Sequence, residues 1–168
     1  MKSVISHKEP SSRLEFDLPA HFWRGACLDL FSKCERQVSD CIETLRSGGF
    51  ELDEESQHPG AAARLRSLLH TLEACAFGGH EKVARKILSE YQDLALHRPY
   101  LAHGVFAILE DGVEIALSEY QKGSRADHEP RAYTRDEMRT LLAELERATN
   151  RLTNQLSQIR AASKAKAA

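Results

Sequence analysis

The stretch Leu96-His97-Arg98-Pro99-Tyr100-Leu101-Ala102-His103-Gly104 ends one kind of pattern and opens another. Apolar residues recur at helical spacing before it, and short strand-like runs follow it. Pro99 has no N–H for a helix ladder and pushes Arg98 toward extended backbone. The stretch therefore reads as a break, or as a break followed by a short new turn, that projects the side chains of Arg98 and His103. Arg98 is permanently charged and offers a planar fork of donors suited to phosphate oxygens. His103 can take and give a proton near neutrality.

Upstream, the spacing predicts a helix over about 81–96 with Val83, Ala84, Ile87, Leu88, Tyr91 and Ala95 as its apolar stripe. A second is predicted over 61–77, with Leu65, Leu68, Leu69, Leu72 and Cys75 on one face and Gly78-Gly79 closing it. The first helix is expected to start near Pro19, a residue favoured at the first helical position, and to end at Ser47-Gly48-Gly49. Downstream, residues 105–110 and 113–117 flank Asp111-Gly112, a pair suited to a two-residue hairpin turn. Residues 121–131 are polar and read as an exposed loop. Thr134 and Glu137 form a capping box, with Tyr133 and Met138 as its hydrophobic staple, and start a last helix of about six turns that runs through Leu145, Leu152 and Ile159.

The expected fold is all-α: an up-and-down bundle of four main helices with a small β-hairpin after the third. It forms one domain over residues 18–162, with residues 1–17 and 163–168 as flexible termini. Surplus apolar length on the long first and last helices suggests a dimer.

The text Arg98-Pro99-Tyr100-Leu101-Ala102-His103-Gly104 resembles the Arg-x(4–6)-His signature of the HEPN superfamily, small helical proteins that include ribonucleases, toxins and inactive relatives. Arg98, Leu101, Ala102, His103 and Gly104 match, and the order of predicted elements over roughly residues 18–160 is similar. The resemblance implies a homodimer in which two Arg/His motifs face one cleft, possession of an RNA substrate and, for toxin or defence members, a cognate protein or antitoxin partner. It also implies metal-independent cleavage of RNA by 2′-hydroxyl attack, with His103 as general acid or base and Arg98 stabilising charge on the phosphorane. DNA lacks the attacking hydroxyl. Pro99 departs from the pattern: it stands where the family prefers Asn or Asp, and an orienting polar group is lost.

Composition narrows the rest. The chain has 168 residues, 42% hydrophobic and 29% charged, ordinary values for a single soluble domain. No run approaches the ~18 apolar residues of a membrane span, and residues 1–10 lack the apolar core of a secretory signal. A cytoplasmic protein without membrane association is expected. The net charge of −2 argues against broad nucleic-acid affinity, so any RNA contact would be a local patch. Cys27, Cys34 and Cys41 are seven residues apart. That is a rise of about 10.5 Å along a helix, too far for neighbours to share a metal whose bonds are ~2.3 Å. They read as small hydrophobes on one face, and neither a metal site nor a cofactor is expected.

Glu35 lies between Phe31, Val38 and Ile42 on the apolar stripe of the first helix. A carboxylate there either meets a partner, fixing Arg98 or His103 from behind, or sits at the stripe's edge and reaches water. His97 could add charge to the substrate cleft, or simply close a helix C-terminus. Tyr100 could stack on a substrate base, or pack beside Leu101. Arg98 itself could cap helix carbonyls. Two function classes follow: a HEPN-like endoribonuclease, and a catalytically inactive HEPN-like dimeric module that binds or regulates. A helical dimer unrelated to nucleic acid is a third.

Overall fold

A computed structural model describes residues 11–121 and 123–167. The elements run α1 (Ser11–Ser47), a 3-10 turn (Glu54–Gln57), α2 (Ala61–Ala74), α3 (His80–Ala95), α4 (Arg98–His103), β1 (Val105–Leu109), β2 (Gly112–Ala116), β3 (Ser118–Gln121), β4 (Ser124–Asp127), β5 (Arg131–Thr134) and α5 (Arg135–Ala167). The fold is mostly helical, with its small antiparallel sheet regions between α4 and α5.

The longest contact is between α1 and α5. Cys27, Phe31, Cys34 and Cys41 on α1 are fully buried, as are Leu145, Leu152, Leu156 and Ile159 on α5. These alternating three- and four-residue steps are the seam by which two helices interlock. Trp23 Nε1 donates to the Met138 carbonyl (2.7 Å), Cys34 Sγ meets Thr149 Oγ1 (3.3 Å), and Arg160 donates to Gln37 Oε1 (3.1 and 3.2 Å). Partners climb both helices together, so α1 and α5 run parallel.

The up-and-down order is therefore corrected. Gln155 on α5 donates to the carbonyl of His80 (3.0 Å), and Arg151 pairs with Glu90 (2.6 Å), which sets α3 antiparallel to α5. Arg85 on α3 pairs with Glu73 on α2 (2.9 Å), while Ala61 and Leu65 share a cleft with Tyr91 and Ala95, so α2 is antiparallel to α3. Three of the long helices point one way and α3 alone returns. Residues 48–60 make this possible by carrying the chain back along α1, pinned by Arg46 on Ser56 (3.3 Å) and Arg66 on Glu55 (3.1 Å). Helical periodicity fixes which face is buried and is silent on direction.

The expected hairpin is present, β1 pairing β2 with Leu109 opposite Gly112. A Cβ at Gly112 would collide with the backbone of Tyr133, so only glycine allows β5 to lie this close to β2. Three other expectations are corrected. The polar segment 121–131 holds a second hairpin, β3 with β4, turned at Gly123 in the left-handed region (φ 84°), and β5 joins β1 and β2 as a third strand. The polar lead-in is helical from Ser11, with Pro19 inside α1 rather than at its start. The tail stays helical to Ala167, where buried Ser163 donates to the Arg160 carbonyl (2.9 Å). Residues 1–10 and 168, also expected to be flexible, lie outside the described residues. The capping box closes in both directions: Glu137 Oε2 accepts from Thr134 N (2.8 Å), and Glu137 N donates to Thr134 Oγ1 (3.2 Å).

Candidate functional site

The break at Pro99 is resolved as a six-residue helix, α4, with Pro99 in its first turn where no N–H is needed. Arg98 leaves α4 toward α1. Its Nη2 donates to Glu35 Oε2 (3.2 Å), and its Nε lies against Oε1 in the same ion pair. The side chains are 35% and 16% exposed. Glu35 thus finds its partner in Arg98, and the pair ties α4 to α1. It lines a cleft of about 400 Å³ with Val38, Leu65, Tyr91, Leu96 and Pro99.

His103 does not line that cleft. Five residues along an α-helix is a rotation of about 140°, so Arg98 and His103 leave α4 in different directions. His103 is exposed, and its ring makes no hydrogen bond or ion pair among the described residues. The other matching residues have packing tasks. Leu101 is fully buried. A Cβ on Gly104 would meet the Ile115 side chain and lie 2.5 Å from the Tyr100 carbonyl, so glycine lets α4 press onto β2. The carbonyls of Leu101 and Ala102 are taken by Arg24 of α1, Nε at 2.5 Å and Nη2 at 3.2 Å.

Arg24 was not singled out by its sequence, where it is one cation beside Trp23 on an amphipathic helix. Its guanidinium lies over the Phe106 ring (4.8 Å) and on carbonyls immediately before His103. It brings a permanent positive charge to the His103 end of α4.

His97 and Tyr100 belong to another cluster. His97 Nδ1 is 2.8 Å from the Tyr133 hydroxyl and 3.4 Å from Arg131 Nη1. Arginine can only donate, which makes Nδ1 an acceptor and puts the ring proton on Nε2. Burial, aided by the Arg131 charge and opposed by Glu144, holds His97 below the usual imidazole range. Arg131, Tyr133, Thr140 and Glu144 share with it a cleft of about 390 Å³. Tyr100 is 8% exposed, donates its hydroxyl to the Glu129 carbonyl (3.0 Å) and has Arg131 over its ring (4.3 Å). A base could stack on that face only after Arg131 left it.

No protein-family model, curated protein or solved structure matches this chain. The site is therefore read from its own groups. Among the described residues there is no cluster of three or more His, Cys, Asp or Glu able to hold a metal ion, and no helix long and apolar enough to cross a membrane. Burial pushes the Cys27 and Cys41 thiols up to about 12, which leaves them protonated and poor nucleophiles. Among the described residues, the groups left for chemistry around α4 are the imidazole of His103, the guanidinium of Arg24 reaching α4 from α1, and, on another side of α4, the remaining donors of Arg98.

Proposed function

We propose that this chain is a HEPN-like, metal-independent endoribonuclease whose proton-transfer group is His103, working as a homodimer in the cytoplasm. The observation that carries this reading is that His103, alone among the residues matching the family text, has no packing or hydrogen-bonding task among the described residues. An exposed imidazole can bind and release protons in contact with a substrate. It takes the proton of an RNA 2′-hydroxyl as that oxygen attacks the adjacent phosphorus. The 5′-oxygen leaves with a proton given by the protonated imidazole of the second copy, and the products are a 2′,3′-cyclic phosphate and a 5′-hydroxyl. Arg24, at the same end of α4, is the cation at hand for the phosphorane charge, whereas Arg98 leaves α4 in another direction, toward Glu35. A toxin or defence role with a cognate protein or antitoxin partner belongs to the same reading.

A second reading is favoured by the Glu35–Arg98 pair. A guanidinium already neutralised by a carboxylate is a weak phosphate ligand, and Pro99 removes a polar neighbour. In that reading the chain is a catalytically inactive HEPN-like dimeric module that binds or regulates. Incubation of a mixed RNA pool with wild type and His103→Ala in EDTA separates the two. Cyclic-phosphate ends that vanish in the variant support the ribonuclease, and intact RNA with folded wild-type protein leaves the binding module.

A further inference from the structure

The sheet order is β1-β2-β5, which leaves β1 at an edge. Its sequence is Val105-Phe106-Ala107-Ile108-Leu109, five apolar residues in a row. Val105 is 74% exposed and Leu109 44%, and Ala107 between them is exposed on the same face. Among the described residues, no backbone hydrogen bond reaches the outer side of β1. Sheets protect open edges with lysine, proline, a bulge or a covering element, and β1 has none of these within it. Such a strand is a template for another strand.

The charges at its two ends identify the partner. Arg24 sits on the carbonyls of Leu101 and Ala102, so the end where β1 begins carries its positive charge. Glu110 and Asp111 follow where it ends; Asp111 faces Arg135 (3.7 Å), whereas the Glu110 carboxylate has no partner among the described residues. Laid antiparallel on a copy of itself, the strand sets each cationic end beside an acidic one. We propose that β1 pairs with β1 of a second copy about a twofold axis at Ala107, joining the two sheets into one. Val105 then faces Leu109 of the other copy, and all five residues of each strand are matched. The pairing also brings the Glu110–Asp111 turn of one copy toward the His103 end of the other, supplying a carboxylate that the imidazole lacks among the described residues of its own chain. This rests on the strand edge, not on the ribonuclease reading.

The register is tested by charge. Val105→Lys/Leu109→Lys places like charges across the twofold, twice by symmetry, whereas Val105→Glu/Leu109→Lys places opposite charges there. Both positions are exposed in the single chain, so circular dichroism should be unchanged. Sedimentation of the full chain from about 1 to 100 μM should show a wild-type dimer. The Lys/Lys variant should dissociate at concentrations about tenfold higher or more, and the Glu/Lys variant should recover the wild-type behaviour. A wild-type chain that stays monomeric throughout overturns the proposal. So does a dimer that both variants leave unchanged.

Discussion

Along α1 and α5, contact is made by many side chains of one kind, repeated in rows: Cys27, Phe31, Cys34 and Cys41 against Leu145, Leu152, Leu156 and Ile159. At α4, six residues are held by a few contacts of different kinds: Arg98 on Glu35, Arg24 on two carbonyls, Leu101 in the core and Gly104 against β2. The first arrangement spreads its free energy over a long seam. The second positions a short element where chain direction changes, and leaves one face of it to solvent. What holds α4 in place is a few long-range contacts, polar and apolar, on its other faces, and that is why His103 can stand exposed on a fixed support.

Substitution in the seam should have the largest effect. Leu152→Ala removes a fully buried side chain from the α1–α5 interface, and chemical denaturation should show a loss of about 2–5 kcal/mol. At α4, Glu35→Ala leaves Arg98 without its carboxylate. Because Arg98 is partly exposed, the expected loss is about 1–2 kcal/mol, below the ~3–5 kcal/mol of a fully buried pair. A Glu35→Ala loss equal to that at Leu152 would place the pair in the core rather than at the joint.

A smaller effect distinguishes the cluster on the other side of α4. Burial and Arg131 hold His97 below its unfolded pKa of ~6.5. When pH falls below that value, the unfolded chain takes up a proton that the folded chain refuses. The stability is therefore complete above about pH 6.5 and declines on acidification through the folded pKa of His97. Thermal melts from pH 7.5 to 5 should show this decline, and His97→Gln should flatten that part of the profile. An unchanged profile in the variant would mean that His97 titrates as freely in the folded chain as in the unfolded one.

The seam was legible in the sequence because a buried helix face repeats, and its residues can be named without a structure. The same was true of the capping box at Thr134, a local exchange of hydrogen bonds. Helix direction was not, since a stripe of apolar residues has the same period in either sense. The second hairpin was hidden because β3 and β4 are polar and largely exposed, and alternation shows only where one face is buried. At the site, a carboxylate on the apolar stripe left Glu35 either partnered by Arg98 or His103 or reaching water, and the tertiary fold decided for Arg98. Arg24 left no signal, because its role depends on α4 ending against α1, residues separated by 77 and 78 positions.

The Arg98–Gly104 segment divides between residues that hold α4 and one, His103, that does not. The direct measurement is the unfolding free energy of Gly104→Ala beside that of His103→Ala. Gly104→Ala should lose about 1–3 kcal/mol, because its new methyl has no space against Ile115 and the Tyr100 carbonyl. His103→Ala should stay within about 0.5 kcal/mol of wild type. A His103→Ala loss as large as that of Gly104→Ala would make the histidine one more packing residue and contradict the assignment of His103 as the free chemical group.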